Sequence, residues 1–173
     1  MKPTKFEPND GEVLFFIGQD LEAVGGLEKY NDGYLDTFDT PVGITAYTNL
    51  SPGDYSFGYA IKGLDGTKTK ANWGAGDTCL QYYVDDPRFK NTIIAIGLSM
   101  VNHEKNVAKG KHDKLIIAFG EWIKSTKRPI FLRIGYEFDG WDWNNYEKKH
   151  FLKAWQRIHN IFTKMKVDNV ALD

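Results

Sequence analysis

Toward the end of a run of β-formers two ionisable groups stand on the same alternating set of positions. In RPIFLRIGYEFDGWDWNNY, residues 128–146, Arg133 and Glu137 are four apart, with Gly135 between them. A carboxyl group delivered by a strand to the edge of a cleft can give a proton to a leaving oxygen and later take one from water. The loop that follows supplies Trp141 and Trp143 among Asp139, Asn144 and Asn145. Indoles lie flat against the C–H faces of a sugar ring while acids and amides take its hydroxyls. Both tryptophans could instead be core residues. A calcium loop is the competing reading of the same stretch, but its D-x-[DN]-x-[DN]-G register is absent.

Side chains alternate along a strand. That period puts Ile130, Leu132, Ile134 and Tyr136 on one face and Phe131, Arg133, Gly135 and Glu137 on the other. If helices cover both faces, Arg133 and Glu137 are charges removed from water, at a cost of several kcal/mol per ion unless each is paired or opens into a cleft. A buried ion-pair network is one outcome. The other is an active site, because in parallel α/β folds ligands sit at the C-terminal ends of the strands. On that reading Glu137 is the last strand residue, and Gly135 leaves room beside it.

The elements that must position these groups alternate along the chain. Strands are expected at Val13 to Gly18, Pro41 to Tyr47, Thr92 to Ser99 and 129–137, with a fifth beginning in Val167 to Asp173. Residues 48–91 are rich in Gly, Asp, Asn and Thr and read as a long loop with a short helix near Thr78 to Val84; long structured loops are often functional. Trp73, in WGAG, could reach the cleft from there. Asp113 is placed to cap a helix through Ser125, with Leu115, Ile116, Phe119, Trp122 and Ile123 on one face. A longer helix from Glu147 to Lys166 carries Phe151, Trp155, Ile158, Phe162 and Met165 at spacings of three and four, the stripe of core packing. Strand and helix in alternation predict an α/β fold with a parallel sheet, in one domain over residues 1–173.

Composition narrows the partners. The chain has 173 residues, and 22 Lys and Arg against 23 Asp and Glu leave no basic field for a phosphate backbone, so nucleic acid is not expected. No run of about 18 apolar residues is present to span a bilayer, and the first residues lack the apolar stretch of a signal peptide. Cys79 is the one cysteine, read as a small buried hydrophobe. His150 and His159 lie about half a turn out of phase on one helix, and His103 and His112 sit in a polar loop without partner spacing and are read as solvated. All four are read as unconnected to a metal, and no cofactor is expected.

RPIFLRIGYEFDGWDWNNY, with FLKAWQRIHNIF and DNVAL after it and GEVLFFIGQD, PVGITAY and IIAIGLSMV before it, resembles glycoside hydrolase family 26, in the clan of retaining (β/α)8-barrel glycosidases. The resemblance covers most of the chain. It implies a parallel (β/α) barrel of which these residues supply about the first four to five strands, since a complete barrel takes about 250 residues. It places the general acid/base on Glu137. Arg133, Tyr136, Asp139, Trp141, Trp143, Asn144 and Trp73 are read beside it as substrate-binding residues. Tyr136 stands where the family's mannanases usually have His, and Asp139-Gly140 where they have Asn-Gly. The implied substrate is a β-linked polysaccharide, β-mannan first, with β-glucan and xylan carried by the same resemblance. The nucleophile belongs to a seventh strand beyond Asp173, so the isolated chain is expected to be inactive and to self-associate through unpaired sheet edges. The full-length protein is expected to be secreted or periplasmic. A carbohydrate-binding or catalytically inactive barrel is the alternative.

Overall fold

The structure, a computed structural model, describes residues 5–25, 33–56, 58–74, 76–140 and 142–172. In chain order the strands are β1 (Phe16–Gly18), β2 (Gly43–Asn49), β3 (Tyr55–Ser56), β4 (Tyr59–Ala60), β5 (Ala71–Asn72), β6 (Asp77–Thr78), β7 (Ile93–Ser99), β8 (Ile130–Ile134) and β9 (Val170–Leu172). The α-helices are α1 (Leu21–Val24), α2 (Leu80–Asp85), α3 (Glu104–Ala108), α4 (Asp113–Thr126) and α5 (Lys148–Met165). The fold is α/β. Five strands form one parallel sheet in the order β1-β2-β7-β8-β9, so the spatial order is the order of the chain.

One face of this sheet is closed. Ile44, Ala46, Ile94, Ile96, Leu98, Ile130, Leu132 and Ile134 are all buried, in one cluster with Ile116, Phe119 and Ile123 of α4 and Ala154, Ile158 and Phe162 of α5. Each fully buried branched side chain contributes roughly 1.5–3 kcal/mol, which is why these positions are aliphatic. The other face is open. Its residues sit between them at the same period: Thr45, Ala95 and Phe131 are half-buried and Arg133 is exposed, around a shallow depression that also takes in Phe16 and Tyr47.

That asymmetry corrects one expectation. Arg133 and Glu137 are not removed from water, because helices cover a single face, and both side chains are exposed. The first strand is also shorter than Val13 to Gly18: pairing begins at Phe16, and Val13 and Phe15, which precede the ladder, are 85% and 63% exposed. Asp113 does not cap α4. It is the helix's first residue, and its carboxylate takes two hydrogen bonds from Arg157 of α5, at 2.6 and 2.5 Å, which ties the helices together instead. The α5 boundaries match the periodic stripe to within a residue at each end.

The long segment between β2 and β7 is ordered around a buried carboxylate. Asp65, 2% exposed, accepts hydrogen bonds from the backbone N–H groups of Lys62 and Gly63 at 2.8 and 2.9 Å and from the Tyr59 hydroxyl at 3.3 Å. These bonds offset the cost of burying its charge. They fold the β3–β4 hairpin back over the C-terminal end of the sheet.

Candidate active site

At the C-terminal ends of β2, β7 and β8 the chain encloses a cavity of about 460 Å³, within the size range of small-ligand sites. Tyr47, Asn49, Ser99 and Tyr136 line it from the sheet, Asp54, Tyr55, Ile61 and Trp73 from the insertion, and Trp143 and Asn144 from the loop after β8. Four of the residues singled out in the sequence therefore converge here: Trp73, Tyr136, Trp143 and Asn144.

Glu137 does not itself line the cavity but stands beside it, next to Tyr136 and bonded to the Trp143 indole, by a route that strand periodicity does not show. β8 ends at Ile134, and the alternation breaks at Gly135, whose φ is +71°. A Cβ on Gly135 would meet the Phe151 ring of α5, so the glycine gives space to a core aromatic and not to the acid. The break turns Tyr136 away from the helix-packed face. Its ring lies 4.9 Å from that of Tyr47, and both rings occupy the space that a side chain at Gly97 would need. Burial, and then the neighbouring Glu137, push the Tyr136 phenol up to about 12, so it stays a neutral hydroxyl at ordinary pH.

Glu137 is thus three residues past the strand, in a turn, with φ +53°. A left-handed conformation costs a non-glycine residue roughly 1–2 kcal/mol, and its surroundings hold it there. The buried Asn144 amide donates to the carbonyls of Tyr136 and Glu137 at 3.1 and 2.9 Å. The backbone N–H groups of Trp143, Asn144 and Asn145 all turn back on the Gly140 carbonyl. Trp143 then donates its indole N–H to Glu137 Oε2 at 2.8 Å, leaving Oε1 as the carboxyl oxygen that this bond does not occupy. Tyr146 braces the same loop from below, its hydroxyl accepting the Met100 N–H at 3.0 Å.

No family model matches the chain. Two curated proteins resemble it. A β-1,3-xylanase from an Alcaligenes species is 31% identical over 160 residues, covering 91% of this chain and 30% of the relative. The β-1,3-xylanase TXYA of a Vibrio species is 32% identical over 164 residues, with the same coverage of each. The chain spans about a third of the length of the curated relatives it matches.

Within this site the sequence-derived roles separate. Trp143 is 63% exposed and free to present an indole face, and Trp73 stands edge-on to Tyr59 at 5.6 Å, so both suit a stacking role. Asn144 is a clamp on the Glu137 turn, because its amide is spent on two carbonyls. Arg133 lines the depression on the open sheet face, not this cavity, and Asp139 is exposed on the outer side of the turn without lining it. Trp141 lies outside the described residues. Among the described residues no three His, Cys, Asp or Glu side chains converge as metal ligands, and no helix is long and apolar enough to cross a membrane.

Sequence reasoning missed Tyr47, Asn49, Asp54 and Tyr55. Tyr47 carried a usable signal, being the last residue of a predicted parallel strand; Asn49 fell in the stretch read as loop, and the strand runs on to include it. Asp54 and Tyr55 carried none, since only the fold of the insertion brings them over the sheet. The two histidines read as solvated are also corrected: His103 is buried, bonded to His112 at 2.8 Å and to Asp54 at 3.1 Å, contacts formed by the loop's return across the β3–β4 hairpin.

Proposed function

We propose that this chain carries the acid/base half of a retaining β-glycosidase of the family 26 type, acting on a β-linked polysaccharide, with Glu137 as the proton donor. One observation carries the reading. A carboxyl group just past the C-terminal end of a parallel strand is held by the indole N–H of Trp143, which lines an aromatic cavity, and follows directly on Tyr136, which lines it too. In this scheme Glu137 protonates the glycosidic oxygen as the bond to the leaving sugar breaks. As carboxylate it then removes a proton from the water that releases the glycosyl group from the nucleophile. Retaining chemistry needs a second carboxyl group about 5–5.5 Å from the first. By the family resemblance that group belongs to a seventh strand, whereas the sheet here has five.

β-1,3-xylan is the substrate to test first, supported by the names of both relatives. β-Mannan, the leading expectation from the family resemblance, gains no support from them and serves as the comparison. A polymer of this kind cannot cross a membrane intact, which supports a secreted or periplasmic site of action.

The test uses a gene product extending from this chain through a seventh strand. It should release reducing sugar from β-1,3-xylan, and Glu137→Gln, nearly isosteric, should lower kcat by about 10²-fold or more, the usual scale of general acid catalysis. Unchanged turnover in the variant would refute the assignment. The 173-residue chain alone should bind xylo-oligosaccharide without cleaving it.

A further inference from the structure

The cavity has a second carboxylate. Asp54 lines it from the β3–β4 hairpin, and its side chain is 34% exposed. Its Oδ1 is taken by His103 Nε2 at 3.1 Å, and its other oxygen accepts no hydrogen bond among the described residues. Behind it the chain continues, from His103 Nδ1 to His112 Nε2 at 2.8 Å, the two rings stacked 5.0 Å apart at 26°.

The proton positions follow from elementary inventory. A carboxylate only accepts, so His103 must donate from Nε2. In a neutral ring Nδ1 is then the acceptor, and His112 must donate from its own Nε2. Both rings are therefore fixed in the Nε2–H tautomer and point the same way, toward Asp54. The hairpin's backbone holds the other end: the Asp54 N–H donates to the Ser51 carbonyl at 3.3 Å, and the Ile61 N–H donates to the Asp54 carbonyl at 2.8 Å.

A surface acid needs no such support, since water would orient and solvate it. Here two histidines distant in sequence, one bonded to the carboxylate and the other behind it, fix one oxygen and leave the second over a cavity whose lining includes Tyr136 and Trp143. We propose that Asp54 is a substrate-binding carboxylate, taking a hydroxyl hydrogen of a pyranoside ring on Oδ2, and that His103 and His112 are its positioning residues. This rests on the glycosidase reading of the cavity. It adds a hydroxyl-selective contact from the insertion to the aromatic platform, which by itself recognises flat faces and not hydroxyl positions. A neighbouring pair of equatorial hydroxyls can share such an oxygen; an O-methylated ring offers it nothing.

The experiment is a calorimetric and NMR titration of the 173-residue chain with β-1,3-linked xylotriose, the O-methylated trisaccharide serving as control. Asp54→Asn keeps an acceptor for His103 but turns the free oxygen into a donor. It should weaken binding about tenfold or more, the scale of one hydrogen bond to a charged group, with an unchanged melting temperature. His112→Gln, which can still donate to His103, should keep most of the affinity, and His112→Phe should lose it. In the wild-type chain saturating sugar should move the ¹⁵N resonances of His103 and leave those of His159 in place, a readout that survives even if a variant fails to fold. Binding by the wild type with full affinity in Asp54→Asn and a silent His103 would overturn the assignment and leave the glycosidase reading standing. A wild type that binds neither xylotriose nor β-1,4-mannotriose would overturn both.

Discussion

Replacing Gly135 by alanine separates two costs that the structure places on one atom. The first is conformational: alanine at φ +71° pays roughly 1–2 kcal/mol for a left-handed backbone. The second is steric, since the new Cβ falls against Phe151 Cε2. That ring cannot simply swing away, being packed between Tyr146 at 5.2 Å and Phe138 at 6.0 Å. Overpacking of this kind costs about 1–3 kcal/mol. Together they predict a loss of about 2–5 kcal/mol. For a chain of this size each kcal/mol lowers Tm by about 2–4 °C, so Tm should fall by about 4–20 °C. Urea denaturation followed by near-ultraviolet dichroism measures the free energies directly. In the double variant Gly135→Ala, Phe151→Leu the steric part should be recovered, leaving the backbone part. A Gly135→Ala chain within about 0.5 kcal/mol of wild type would refute the argument that the glycine exists to break the strand against Phe151.

Three further outcomes are expected. Tyr146→Phe strands the Met100 N–H in a part-buried position and should cost about 1–3 kcal/mol, visible as a lower urea midpoint with an unchanged slope. Stability should also fall with acid in a defined window. Burial, and then His103, pull the pKa of His112 below its ordinary 6.5, so the unfolded chain binds that proton more readily. The contribution is complete above about pH 6.5 and is lost as pH falls toward the lower folded value; His112→Gln should flatten the slope of the urea midpoint between pH 7.5 and 5. Finally, Ala171→Lys places a charge on edge strand β9, opposite Phe131, and should suppress concentration-dependent association in sedimentation velocity.

The elements whose identity is set by their own side chains were legible. The stripe from Phe151 to Met165 located α5, and the apolar runs located β7 and the start of β8, because burial on one face dictates residue type at a fixed period. That Trp143 and Asn144 stand together just past a strand end was legible too, from the aromatic and amide-rich loop that follows β8. What escaped was set by distant partners. Strand alternation was carried three residues too far, to Glu137, because the reason for its failure at Gly135 is a ring 16 residues later. Asp113 read as a cap, but Arg157 of another helix outcompetes the backbone for its carboxylate. The Asp54–His103–His112 chain joins residues 49 and 9 apart, and no local pattern announces it.

Because the sheet's spatial order repeats the chain's, its assembly can follow the direction of synthesis. Every strand after β1 finds its one earlier neighbour already made, so none has to wait for a partner still inside the ribosome or displace a strand already laid down. Domains tend to form in this order during translation. The exception is β1, three residues long, which must stay extended until β2 emerges behind it. Slowing elongation between Leu50 and Ser99, after β2 has been made, should then matter little to yield. Synonymous or trans-acting changes that delay β2 alone should expose Phe15 and Phe16 for longer, making the N-terminal edge the place where misassembly begins.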